Sequence, residues 1–177
     1  MIPSHGSEVG VEIVTKSSEA VISQIINLGK ATYPISSNGD KHSFYSDDLN
    51  SRNYINLVLK REGTTVGYLL AYPQNEACLN LINWDPCMSR NQGMYYIDTV
   101  QTMPDERNSG GFLMLLYRLF EELRRRHISE ISAHLRQSNG LNRKILKLFP
   151  TARYLHTIEN FMNTGEAYDY MESPIPT

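Results

Sequence analysis

Apolar and polar positions along this 177-residue chain recur with two periods. A period of two marks half-buried strands, and one near 3.6 marks helices packed on one face. "VEIVT" (Val11–Thr15) alternates and predicts a strand. Ser17 or Ser18 then caps a helix with Glu19 in its first turn, a stripe of Val21, Ile25, Leu28 and Thr32, and a stop at Pro34. The polar stretch Ser36–Ser51 has no clear period and leaves room for a short helix. Asn53–Tyr72 predicts a hairpin, with two β-rich runs around a turn at Glu62-Gly63. Its second arm, "VGYLLAY", is apolar throughout, as in a strand covered on both faces. Pro73–Gly93 has mixed polarity and reads as an elaborated connection. Met94–Met103 is the next strand. After a polar loop, Phe112, Leu115, Leu116, Leu119, Phe120 and Leu123 form one helical face. Glu130–Arg136 predicts a strand and Ser138–Phe149 a shorter helix. "RYLHTIENF" and "EAYDYMES" close the chain as two strands around a turn at Thr164-Gly165. Strands interleaved with helices in this order make a mixed α/β layer fold.

Composition narrows the class. With 41% hydrophobic and 20% charged residues the chain can bury a core. A formal net charge of −2, with no aromatic-basic stripe, argues against nucleic acid as partner. No apolar run nears the ~18 residues that span a bilayer, so a membrane partner is not expected. Two cysteines, Cys78 and Cys87, share one polar stretch; a disulfide is open to them, but so few fit a reducing, cytoplasmic setting better. Residues 1–10 read as a flexible tail and 11–177 as a single domain, monomeric or homodimeric.

The loop before the long helix carries the chemistry. "PDERNSGG" (Pro104–Gly111) joins a strand to a helix N-terminus. The first N–H groups of a helix have no partner within it, and the macrodipole leaves roughly +0.5 charge there. Gly110 and Gly111 let backbone approach a phosphate, Arg107 adds a cation, and Ser109 can cap the helix or bind the anion. The plain alternative is that Asn108 or Ser109 caps the helix and the glycines only make the turn.

The surrounding order of elements resembles the GNAT superfamily, the acyl-CoA-dependent N-acyltransferases. Their central motif is a strand, Pro-x-x-Arg/Gln-x-x-Gly-x-Gly/Ala, then a helix. Pro104, Arg107 and Gly110 fall in register, whereas Phe112 stands where a second small residue is usual and Gly111 comes one place early. The likeness runs on through "RRRHISEISAHL", Asn139, "TVGYLLAY" and "GEAYDYMES", from Val11 to Ser173. It implies a mixed, mostly antiparallel central sheet flanked by helices. It also implies acetyl-CoA (coenzyme A) as co-substrate, with no metal; no His/Cys/carboxylate set has metal-ligand spacing. By this resemblance Val100, Gln101 and Thr102 would pair with the pantetheine amides, and the amides of Asn108, Ser109, Gly110, Gly111 and Phe112 would hold the pyrophosphate beside Arg107. Asn139 would bond the pantetheine arm, and Arg143 or Lys144 would meet the 3′-phosphate or simply be helix charges.

The implied activity is N-acyltransfer, with acetyl or a short acyl group passing to a primary amine of a small molecule or protein. The amine must lose a proton, the oxyanion must be stabilised, and the thiolate gains from a proton donor. Asp98, a carboxylate in the apolar strand "YYIDTV", is the candidate base; the plain reading is an Asp satisfied by its neighbours. The position of the family's tyrosine acid is Leu146 here, or Phe149 with a three-residue gap, so Tyr154 is the substitute candidate. That departure and Phe112 keep open an alternative, a module that binds CoA or a partner without efficient transfer. His134 reads as a packed strand residue, His127 as a complement to a helix dipole, and His5 and His42 as exposed. Cys87 lacks a recognisable His neighbour for covalent chemistry, and Arg124–Arg126 read as a solvated helix end. Glu159, Asp169 and Asp47 are candidate attractors for a cationic amine.

Overall fold

The computed structural model describes residues 9–16, 18–32 and 47–176. The elements are β1 (Val9–Val14), α1 (Glu19–Thr32), a helical turn at 47–50, β2 (Ile55–Arg61), β3 (Thr64–Pro73), α2 (Gln74–Asn80) and β4 (Met94–Thr102). A 3₁₀ turn at Pro104–Glu106, α3 (Gly111–Arg125), β5 (Glu130–Arg136), α4 (Leu141–Leu148) and β6 (Arg153–Ile158) follow, and a 3₁₀ turn at Phe161–Asn163 leads to β7 (Tyr168–Pro174). The sheet has seven strands in the order β1-β2-β3-β4-β5-β7-β6. It is mostly antiparallel; β4 and β5 pair in parallel, as a crossover through a helix requires. The expected fold class is the one observed.

Contacts divide the chain into two compact units, one of residues up to Leu70 with Thr99–Leu119, the other of Ala71–Asp98 with Phe120 onward. In the first, Ser18 Oγ accepts the Val21 N–H at 3.3 Å and starts α1; Ser17, Pro34, His5 and His42 lie outside the described residues. The buried stripe of α1 centres on Ile22, Ile25 and Leu28, one position from the expected Val21. Glu62 and Gly63 both have positive φ, +51° and +77°, as the tight turn of a two-residue hairpin demands. Tyr68 through Tyr72 are buried without a break, as the unbroken apolar run required. Tyr68 Oη donates to Asn56 Oδ1 at 2.7 Å, and Asn56 Nδ2 donates to the Asp48 carbonyl at 2.9 Å, so this buried polar group is satisfied. Leu115, Leu116 and Leu119 of α3 complete the core of this unit.

Four boundaries differ from expectation. β1 begins at Val9, inside the segment read as tail. Pro73–Gly93 is not irregular throughout, for α2 forms directly after Pro73. Its buried positions are Gln74 and Ala77, and a polar first anchor hides the apolar stripe. α4 begins at Leu141, because Asn139 Oδ1 takes the Leu141 N–H at 2.8 Å and Gly140 turns left-handed at φ +65°. The β6–β7 connection contains the 3₁₀ turn at Phe161–Asn163, ahead of Thr164-Gly165. α3 ends where Ile128 N–H reaches the Leu123 carbonyl at 2.9 Å and His127 N–H the Arg124 carbonyl at 3.0 Å. His127 stands at φ +58° in this cap, the place glycine usually holds.

Candidate active site

The first unit contains the whole glycine loop. The N–H of Met103 donates to the Val66 carbonyl at 2.9 Å and ties the exit of β4 to β3. Pro104–Glu106 make one 3₁₀ turn, closed by Arg107 N–H on the Pro104 carbonyl at 3.2 Å. Gly110 takes φ +83°, and its carbonyl accepts the Met114 N–H at 3.0 Å, so it is the cap of α3. Among the described residues, the N–H groups of Asn108, Gly110, Gly111, Phe112 and Leu113 meet no backbone acceptor. Arg107, Asn108, Ser109 and Gly110 are exposed. Amides without a backbone acceptor at the positive end of a helix, beside an exposed turn, fit a diphosphate.

The two glycines do different things. Gly110 has open space around it but needs a left-handed backbone; a Cβ on Gly111 would lie 2.6 Å from Leu59 Cδ2, inside a buried contact. Gly111 therefore sets how closely α3 approaches β2, while Gly110 makes the left-handed turn into α3. Ser109 does not cap α3, since its hydroxyl lies 2.7 Å from both the carbonyl and Oε2 of Glu106. Glu106 is in turn held by Arg61, Nε to Oε1 at 2.7 Å and Nη2 to Oε2 at 2.8 Å. Those donors, Arg61 first and then Ser109, hold the Glu106 carboxyl below its usual range.

The second unit holds Asp98, Asn139, Arg143 and Tyr154. Asp98 is half-buried on β4, and Tyr72 Oη donates to its Oδ1 at 3.0 Å. Asn139 is exposed, with Oδ1 committed to the start of α4. Arg143 and Lys144 are exposed on the same helix, as is Leu146; Phe149 is buried edge-to-face against Phe120. Tyr154 is exposed on β6, its Oη 3.0 Å from Thr157 Oγ1. Thr157 in turn donates to Asp169, which also accepts from Gln137 and Asn142 at 2.7 and 2.6 Å. Burial pushes the Asp169 carboxyl up, but these three donors outweigh it and leave it lowered. Asp169 is thus consumed in joining α4, β6 and β7, and as an amine attractor it is corrected; Asp47 and Glu159 are exposed. Arg126 is not wholly solvated either, because it bonds Glu122 at 3.0 Å and Tyr95 at 3.2 Å. Cys78 and Cys87 are free thiols.

A buried polar chain that sequence reasoning passed over runs beside Asp98. Tyr96 Oη lies 2.9 Å from His134 Nδ1, and His134 Nε2 lies 3.0 Å from Asp85 Oδ2. His156 Nε2 meets the same Oδ2 at 2.9 Å. Burial pulls His134 down to about 4, against the Asp85 hydrogen bond, so at neutral pH the contact is a hydrogen bond from a neutral ring rather than an ion pair. Burial also pushes the Tyr96 phenol well up, with Asp98 adding to it. The signal was available: Tyr96 and Asp98 share a face of β4, and His134 breaks an apolar strand as Asp98 does.

The model of the Acetyltransferase (GNAT) family matches residues 22–148, well over half the chain. No curated protein matches the sequence. Among solved structures, aminoglycoside 6'-acetyltransferase type Ii superposes with TM-score 0.72 at 13% identity, over 95% of this chain and 98% of that one. Arabidopsis thaliana NAA60 in complex with acetyl-CoA superposes with TM-score 0.70 at 13% identity, over 95% and 99%. Ribosomal-protein-alanine N-acetyltransferase from Brucella melitensis superposes with TM-score 0.67 at 18% identity, over 93% and 99%. The first is named for a small-molecule acceptor and the last for a protein, so the shared fold does not choose between them.

Proposed function

The chain belongs to the GNAT family of acetyltransferases, and from that premise we propose that it moves an acetyl or short acyl group from acyl-CoA to a primary amine of a small molecule or protein. The observation that carries the reading is the row of amides without a backbone acceptor at Asn108 and from Gly110 to Leu113, at the left-handed turn of the exposed Gly110 and seated by the Gly111–Leu59 contact. A diphosphate supplies acceptors for those N–H groups, and Arg107 a matching cation. The backbone of Val100–Thr102 extends β4 up to this loop and supports the pantetheine arm.

Asp98 is the proposed base. An amine arrives as an ammonium with no lone pair, and a carboxylate within reach, directly or through one water, takes the first proton. The Tyr72 hydrogen bond aims that carboxylate. Attack at the thioester carbonyl then forms the C–N bond, and collapse breaks the C–S bond.

Release of free thiol from acetyl-CoA, measured against a panel of amines and peptides, tests the reading. Thiol release that depends on an acceptor is expected. Tight acetyl-CoA binding without thiol release for any acceptor overturns transfer, and absence of acetyl-CoA binding overturns the cradle.

A further inference from the structure

Asn139 and Gly140 join β5 to α4 in the second unit, and an asparagine followed by glycine has chemistry of its own. A backbone amide nitrogen can attack the carboxamide carbon of the residue before it, because the two close a five-membered ring. A side chain on the attacking residue hinders that approach, and glycine has none. Among the described residues Asn139-Gly140 is the one pair of this kind; Asn38-Gly39 lies outside them.

Asn139 is exposed, and a Cβ built on Gly140 meets nothing within 4 Å. Asn139 Oδ1 accepts the Leu141 N–H at 2.8 Å. The ring closed by this hydrogen bond contains both Asn139 Cγ and the Gly140 nitrogen, so the attacked and attacking atoms belong to one turn. The same N–H draws charge onto the carboxamide oxygen, as an oxyanion site does. One contact opposes attack, because the Gly140 N–H donates to the Gln137 carbonyl at 3.0 Å. Gln137, Ser138 and Asn139 are all exposed, so water can take that carbonyl's place when the turn opens locally. Asn91 supplies the contrast within the same chain. It too is exposed, and its Oδ1 accepts the Gly93 N–H at 2.9 Å. There the attacking nitrogen would belong to Gln92, and Asn91 Nδ2 is tied to Glu130 at 2.8 Å.

We propose that Asn139 is a self-modification site, where the Gly140 nitrogen closes on Asn139 Cγ and converts the asparagine to aspartate and isoaspartate. Water is the only reagent. The N–Cγ bond forms, the Cγ–Nδ2 bond breaks, and ammonia leaves with the proton given up by Gly140. Water then opens the cyclic imide. Attack at Cγ restores the main chain and yields aspartate; attack at the main-chain carbonyl sends the chain through the side chain and yields isoaspartate. Aspartate caps a helix as well as asparagine does, whereas isoaspartate lengthens the main chain by a methylene and shifts the start of α4. The functional consequence rests on the reading that Asn139 bonds the pantetheine arm. Both products replace its amide donor with a carboxylate, which can only accept, so deamidation is a one-way clock that loosens acetyl-CoA.

Whole protein kept folded in warm, mildly alkaline buffer and then digested with trypsin yields the peptide Gln137–Arg143. Mass spectrometry should find a gain of one mass unit at Asn139 and none at Asn91. A protein isoaspartyl methyltransferase should label the same peptide. Gly140→Ala should slow the conversion several-fold. An Asn139 that stays intact in the folded protein, while a sample unfolded in guanidinium converts it, overturns the proposal. Equal conversion of Asn91 overturns it too, since the glycine would then decide nothing. Aged protein and Asn139→Asp should share a raised KM for acetyl-CoA. If Asn139 converts and KM does not move, the modification site stands and the pantetheine role of Asn139 falls.

Discussion

Arg61 holds Glu106 through two parallel hydrogen bonds of 2.7 and 2.8 Å, binding the glycine loop to the end of β2. A carboxylate so near the proposed diphosphate cradle would repel the ligand if it stood unpaired. Arg61→Ala should raise the KM for acetyl-CoA several-fold with little change in kcat. Arg61→Ala with Glu106→Gln should recover part of the loss. Since the folded carboxyl is held below its usual range, the anchor is intact at neutral pH and is lost only as pH falls below that range.

The glycines should separate in a stability assay. Gly111→Ala drives a methyl against buried Leu59 and should cost about 1–3 kcal/mol by urea unfolding; Leu59→Ala in the same chain should show coupling of the two sites. Gly110→Ala meets nothing, and its cost of about 1 kcal/mol comes from φ +83° alone, so no second substitution relieves it.

Asp98→Asn should reduce turnover by on the order of 10²–10⁴ in the thiol-release assay. Tyr72→Phe should do less, since one hydrogen bond to a charged group is worth about 1.5–3 kcal/mol. Equal rates for wild type and Asp98→Asn would remove Asp98 from the mechanism.

Stability should depend on pH through His134. Its folded value of about 4 lies below the ordinary 6.5, so between these pH values the unfolded chain binds the extra proton. The contribution is full above pH 6.5 and is lost as pH falls toward 4. Melting temperature followed over that window should fall in the wild type and flatten in His134→Gln.

His127 closes α3 in a conformation that disfavours a side chain. His127→Gly should raise stability by about 0.5–1 kcal/mol, read as a higher urea midpoint with the slope unchanged.

Local signals of one strong kind were legible in the sequence. The Glu62-Gly63 hairpin, the unbroken run through Tyr68–Tyr72, the α3 face and β5 are found where the periods put them, because each rests on backbone or burial rules that act over a few residues. The Gly110 turn was legible for the same reason. Hidden were α2, whose anchor Gln74 is polar and is satisfied by Tyr170 and Ser132 from distant strands, and the fate of Asp169, decided by donors from three elements. The His134 chain was hidden in the same way. Nothing near residue 134 in the sequence says that Asp85 and His156 close on it, since the contacts are made by tertiary folding.

The connection between β6 and β7 sets Asn160, Met162 and Asn163 at φ of +52°, +53° and +57°, each at a penalty on the order of 1 kcal/mol. Glycine at these places would ease the backbone and let the segment wander. The chain instead accepts a stiff, disfavoured bend whose visible product is one ring, Phe161, laid flat over an imidazole. Rigidity there keeps that stacked pair in register, and thermostability engineering that relaxes this bend would loosen the ring from the imidazole face.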